Sequence, residues 1–401
     1  MKSSYGPVKT GADVLIKENL ARVAGKRVGL VCNQSSVESS RLVHLADLLM
    51  EADDVDLACL FAPEHGVRGE AQDMDLVKDC IDRDTGVPVH SLYGRDFDSL
   101  TPSSAAIDDL DVLVVDVQDV GARYYTFAAT MALCMKAAAA AGVKLIVLDR
   151  PNPLGGDAVE GPLVEPGYES FVGLYPVPVR HGMTVGELAG WYNDREGLGC
   201  DLEVVAMEGW QRSMSFEQTG LVWVHPSPNM PTVDTAFVYP GMCLVEGTLL
   251  SEGRGTTRPF EQAGAPFVHP EKLAARLTEL VEAWGLGGVQ FRPCAFRPMF
   301  QKHAGFVCGG VFLHVRDQKE LRPWAVGVAF VEAVRDLWPE ELKWRTEPYE
   351  FVGDRPALDL LLGSSTIRER WEKGGSALGL VEEAGAAAAT FEREREPYLL
   401  Y

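Results

Sequence analysis

VDLACLFAPEHG, residues 55–66, is an apolar run that stops at a proline and is followed at once by an acid, an imidazole and a glycine. The run lacks the polar alternation of a half-solvated strand, so it reads as a strand buried on both faces. RVGLVCNQ (27–34), DVLVVDVQ (111–118) and KLIVLDRP (144–151) share that character, with shorter strands at PVHSLYG (88–94) and DLEVVAM (201–207). Helical spacing lies between them, in LVHLADLLMEA (42–52), YTFAATMALCMKAAAAAG (125–142) and MTVGELAGWYNDREG (183–197). In the last, Thr184 is a plausible N-cap with Glu187 three residues on. Buried strands alternating with helices indicate an α/β protein: a Rossmann-like, doubly wound, mainly parallel sheet.

The chain of 401 residues is long enough for two domains. We expect a Rossmann-like catalytic domain over 1–208, an irregular cleft-forming segment rich in Gly, Pro, Ser and Thr over 209–266, and a smaller α+β C-terminal domain over 267–401. In the last, PEKLAARLTELVEAWG and PWAVGVAFVEAVRDLW have helical spacing, and VQFRPCAFRP and GGVFLHV read as strands.

A formal charge of −21 disfavours nucleic acid and anionic membrane surfaces as partners. No apolar run approaches the ~20 residues of a spanning helix, and the first residues lack the pattern of a secretory signal, so a cytoplasmic location is expected. The eight cysteines form no C-x-x-C pair, and Cys32, Cys59 and Cys134 sit inside apolar runs, as buried reduced thiols do.

In open parallel sheets ligands bind beyond the carboxyl ends of the strands. Those ends carry Asn33 and Gln34, Glu64 and His65, Tyr93 and Gly94, Asp116 to Asp119 with Gln118 among them, and Asp149 and Arg150. Any one polar end is ordinary loop chemistry; so many together point to a site. Nucleotide binding is not supported, because neither a P-loop nor G-x-G-x-x-G follows the first strand. His65, His181, His225, Asp116 and Asp119 could ligate a metal, but their spacing matches no metal motif. Arg68, Arg123, Arg150, Arg180, Arg254 and Arg258 flank the strand ends or the irregular segment, where they either neutralise acids or hold an anionic group of a ligand.

FAPEHGVRGEAQ, SLYG, DVQDVGARYYTF, VLDRPNPLGG, VRHGMTVGELA, WVHPSPNMPT, VYPGMCLVEGT and SEGRGTTRPFEQAGAPF, in this order, resemble the NamZ-like exo-β-N-acetylmuramidases, a glycoside hydrolase family formerly catalogued as a domain of unknown function. The resemblance runs from about Arg27 to Val315. It implies a cleft between the two domains, no cofactor, and release of N-acetylmuramic acid from the non-reducing end of peptidoglycan fragments. It also implies that Glu64, the glutamate of PEHG, is the general acid. His65 then orients that acid or donates to a sugar hydroxyl. Asp116, Asp119, Glu246 and Glu252 are candidates for a second catalytic group, with Asp116 preferred because it ends a central strand. Assistance from the substrate's own acetamido group is a further route. A muro-saccharide carries a lactyl carboxylate, for which Arg68 and Arg123, then Arg180 and Arg254, are candidate partners. Asn33, Gln118, Asp119, His181, Glu246 and Glu252 complete the expected substrate-binding set. The rival functions are a metal-assisted hydrolase and a non-catalytic cell-wall-sugar binding protein on the same fold.

Overall fold

The computed structural model describes residues 6–72 and 74–401. Seven strands form the larger sheet: β1 (Arg27–Cys32), β2 (Asp56–Ala62), β3 (Cys80–Ile81), β4 (Pro88–Ser91), β5 (Val112–Asp116), β6 (Lys144–Leu148) and β7 (Leu202–Val205). Their order is β3-β4-β2-β1-β5-β6-β7. All pairings are parallel except that of the edge strand β3 with β4. The chain thus winds outward from β1 in one direction through β2 and β4, then in the other through β5, β6 and β7. This is the doubly wound α/β arrangement expected.

Both faces of the sheet are buried, which explains the continuous apolar runs. Leu30, Leu60, Val114 and Ile146 join one core, packed with the helices Gly11–Lys17 and Leu45–Met50. Their neighbours Val31, Phe61, Val115 and Val147 join the other, packed with Phe127–Ala141. Each such side chain, once buried, contributes ~1.5–3 kcal/mol. The helix Phe127–Ala141 stops at Gly142, whose φ of 69° is left-handed and suits glycine. Val185–Arg195 begins at Thr184, whose hydroxyl accepts from the Glu187 amide while the Glu187 carboxylate accepts from Thr184 N–H.

A second sheet, β8 (Gln262–Ala265), β9 (Val289–Phe296) and β10 (Cys308–Val315), is antiparallel in the order β8-β10-β9. The helices Pro270–Ala283 and Pro323–Leu337 pack with it. The segment 209–266 is less irregular than its composition indicates. It contains the helix Val233–Met242 and β8. The tripeptide YPG reads as a helix breaker, yet Pro240 and Gly241 lie inside that helix. Gly241 allows a close crossing: a Cβ there would come within 1.9 Å of the Pro323 carbonyl. Tertiary packing overrides propensity here.

Past Leu342 the chain forms three more helices, Ala357–Leu362, Thr366–Glu372 and Leu378–Glu394, and returns to the larger sheet. There the Tyr401 hydroxyl donates to Asp149 at 2.7 Å and accepts from the Met207 amide at 2.7 Å. Among the described residues no helix is long and apolar enough to cross a membrane.

Candidate active site

Glu64 follows β2 by two residues and is 5% exposed. The turn that aims it inward passes through His65 and Gly66 with φ of 74° and 83°. A histidine in that left-handed conformation is uncommon, and such strain concentrates at functional sites. One oxygen of Glu64 accepts from the Thr126 hydroxyl at 2.8 Å, and the other faces the Met74 amide at 3.4 Å. Thr126 sits at the head of helix Phe127–Ala141, so the sheet and its covering helix together hold the carboxylate. Beside it, His65 Nδ1 lies 3.0 Å from the Ala71 carbonyl. A carbonyl only accepts, so this nitrogen carries the proton. Burial pushes the His65 pKa down, favouring the neutral ring.

The opposite wall comes from downstream in the chain. Glu64, His65, Tyr125, Asn229, Glu246, Arg254, Tyr349 and Glu350 all line one cleft. Arg254 donates to Glu246 at 2.6 Å, approaches Glu252 at 3.6 Å and packs over the Phe260 ring at 5.0 Å. Tyr349 donates its hydroxyl to the other oxygen of Glu246 at 2.7 Å. Burial alone would raise the Glu246 pKa; the Arg254 guanidinium and the Tyr349 hydroxyl outweigh it and hold the carboxyl below its usual range. Glu252 accepts from Lys302 at 2.9 Å. The loop carrying Arg254 requires glycine at 255, where φ is 78° and a Cβ would come within 2.8 Å of the Phe300 backbone.

The structure therefore brings Glu64, His65, Glu246 and Arg254 to one cleft, with Glu252 directly behind Arg254. It assigns other partners to the remaining candidates. Asp116 is fully buried and held by both arms of Arg150, at 2.6 and 2.9 Å. Its strand is separated from β2 by β1, about 10 Å away at the ~4.8 Å spacing of neighbouring strands, so ending a central strand does not place it beside Glu64. Asp119 accepts from the Gly121 amide at 2.6 Å and lies 3.7 Å from His181. His181 Nδ1 accepts from the Met183 amide. Asn33 donates to the Pro226 carbonyl, and Gln118 to the carbonyls of Asp119 and Pro151. These amides stitch loops together at the strand ends.

The arginines separate most clearly. Arg68 is tied to Asp47, Asp82 and Asp84 on a different groove. Arg123 donates to the carbonyls of Pro162, Val177 and Leu361, and Arg180 to that of Leu154. Burial lowers both guanidinium pKa values to about 10. Their task is to satisfy carbonyls, which a charge pattern in sequence does not reveal. Of the four arginines considered for an anionic substrate group, Arg254 is the one in the cleft. Among the described residues no three His, Cys, Asp or Glu side chains converge as metal ligands. Thr126, Lys302, Tyr349 and Glu350 were not legible in advance as parts of the site.

A doubly wound domain whose buried strand-end glutamate faces a carboxylate- and arginine-bearing wall defines a two-domain α/β protein with a glycosidase-like cleft. The chain belongs to the NamZ exo-β-N-acetylmuramidase family, whose N-terminal model matches residues 28–234 and whose C-terminal model matches 237–401. It is 44% identical over 394 residues to the peptidoglycan β-N-acetylmuramidase NamZ of Bacillus subtilis (strain 168), covering 98% of this chain and 91% of that protein. Two crystal structures of DUF1343 family proteins from Bacteroides fragilis NCTC 9343 share the fold. One has a TM-score of 0.87 at 37% identity, covering 98% of this chain and 99% of the other. The second has a TM-score of 0.75 at 30% identity, covering 99% of each.

Proposed function

We infer that the protein is an exo-acting β-N-acetylmuramidase that releases N-acetylmuramic acid from the non-reducing end of peptidoglycan fragments, with Glu64 as general acid. The observation that carries this assignment is the buried Glu64 carboxylate, oriented by Thr126 and facing the cleft wall of Glu246, Arg254 and Tyr349. Glycosidic cleavage needs a carboxylic acid beside the scissile oxygen, to protonate it as the bond to the anomeric carbon breaks. Thr126 fixes the rotamer of Glu64, and neutral His65 offers a hydrogen-bonding ring beside it without adding positive charge. Arg254 supplies the cation for the lactyl carboxylate of muramic acid, positioned by Glu246 and Glu252. Among the described residues no disulfide joins the eight cysteines, which fits a reducing compartment and intracellular use of wall fragments.

The test is turnover of an N-acetylmuramyl disaccharide by Glu64→Gln. General acid catalysis is worth ~10²–10⁴-fold, so kcat falls by that factor while thermal stability is retained. Turnover within a few-fold of wild type removes Glu64 from the role.

A further inference from the structure

Glu246 is shared between the cleft around Glu64 and a second pocket, lined also by Met74, Leu249, Lys302, Arg345 and Glu347. This outer pocket measures about 370 Å³, within the ~300–1,000 Å³ of ordinary ligand sites. Two residues tie it to the acid. Met74 lines it and places its backbone amide 3.4 Å from one oxygen of Glu64. Tyr349 lines the inner cleft, donates to Glu246, and carries the Arg345 guanidinium over its ring, 4.9 Å from the centroid.

An acid that protonates the glycosidic oxygen faces the leaving side of the scissile bond. An exo-acting site is closed beyond the sugar it releases, so the rest of the chain departs through the open side. Met74 puts the outer pocket on that side of Glu64. The two cations there are held differently. The Lys302 ammonium is engaged by Glu252 at 2.9 Å and by the carbonyls of Val245 and Glu246 at 3.1 and 3.3 Å. Arg345 is half-buried, and its backbone amide donates to the Gly247 carbonyl at 2.9 Å. Its guanidinium contacts are the Tyr349 ring and the Met74 sulfur, the latter at 3.5 Å. Both are uncharged, since burial pushes the Tyr349 pKa well above its ordinary value. A guanidinium stacked on an aromatic face keeps its N–H edge for partners in its own plane, the geometry that receives a carboxylate.

We propose that the outer pocket binds the departing saccharide and that Arg345 recognises a carboxylate on its second sugar. This rests on the muramidase reading of the Glu64 cleft. In an alternating, peptide-free glycan the first departing sugar is N-acetylglucosamine, which has no carboxylate. The second is N-acetylmuramic acid, whose lactyl group supplies one. Arg254 and Arg345 then read the same chemical group on two different sugars, one released and one left on the chain.

The experiment uses two trisaccharides that both begin with N-acetylmuramic acid followed by N-acetylglucosamine. The third sugar is N-acetylmuramic acid in one and N-acetylglucosamine in the other. Wild type is expected to favour the first by roughly ten- to a hundredfold in kcat/KM, mostly through KM. Arg345→Met and Arg345→Gln bring the two substrates level, and Arg345→Lys keeps part of the preference, having the charge without the fork. Calorimetry supplies a reading that needs no turnover. Glu64→Gln protein should bind the departing disaccharide, N-acetylglucosaminyl-N-acetylmuramic acid, more tightly than N,N′-diacetylchitobiose, and adding Arg345→Met should erase the difference. Equal kcat/KM on the two trisaccharides in wild type, or a preference that survives Arg345→Met, overturns the proposal. Release of no N-acetylmuramic acid from either trisaccharide removes the muramidase reading alone, because the calorimetric comparison still decides whether Arg345 takes the carboxylate.

Discussion

Replacing Asp116 by Asn separates a catalytic carboxylate from a structural one. Asp116 has no exposed surface and Arg150 is 6% exposed, and two charge-assisted bonds join them at 2.6 and 2.9 Å. Removing one partner of such a pair leaves a buried charge uncompensated, at a cost of about 3–5 kcal/mol. The melting entropy of a globular protein is about 2.1 cal/mol/K per residue, so a chain of 401 residues unfolding as one unit changes by ~0.84 kcal/mol per degree. The expected fall in Tm is therefore about 4–6 °C, and larger if the first domain melts separately. Arg150→Met should cost a comparable amount, and the double variant less than the sum of the two, because neither charge is then left unpaired. Calorimetry supplies the stabilities, and kcat is measured well below the transition, where it should stay within a few-fold of wild type. An Asp116→Asn protein as stable as wild type but about a hundredfold slower would refute this reasoning and return Asp116 to the chemistry.

Two further outcomes follow from the same geometry. Burial raises the Asp149 pKa from the ordinary 3.8 to about 6, so the native state holds this proton more tightly than the unfolded chain does. The stability it contributes is present below about pH 4 and lost as pH rises through about 6; relative to Asp149→Asn, wild type should lose about 2–3 kcal/mol between pH 4 and 7.5 in denaturant titrations, and a pH-independent difference would contradict the shift. Arg254→Met should lower kcat/KM on aryl N-acetylmuramide by roughly ten- to a hundredfold, with little change on the matching N-acetylglucosaminide if that sugar is turned over, and equal losses on both sugars would deny Arg254 a role in lactyl recognition.

The larger sheet was legible because burial on both faces writes itself into sequence as unbroken apolar runs, as in β1, β2 and β5. The helix Val185–Arg195 was legible at its N-terminal boundary because Thr184 and Glu187 form a local capping box. The helix Val233–Met242 was hidden, since its proline and glycine obey a close crossing with Pro323–Leu337 that no local rule contains. Glu64, His65 and Arg254 could be picked out from their motifs. The partners of Arg68, Arg123 and Arg180 are hidden in the sequence, because a charged residue there does not say whether it meets an acid, a carbonyl or a ligand. The turn bearing Tyr349 and Glu350 meets Glu246 and Tyr93 only through the tertiary fold, and it carries no spacing signal of its own.

The most direct measurement of the central claim follows, by mass spectrometry over time, the products the purified protein releases from a peptide-free glycan chain with N-acetylmuramic acid at its non-reducing end. Exo-acting muramidase chemistry through Glu64 predicts free N-acetylmuramic acid as the first product, a remaining chain shortened by that one sugar, and neither product from Glu64→Gln. Release of N-acetylglucosamine first, of internal oligosaccharides, or of the same products from the Glu64→Gln protein would contradict it.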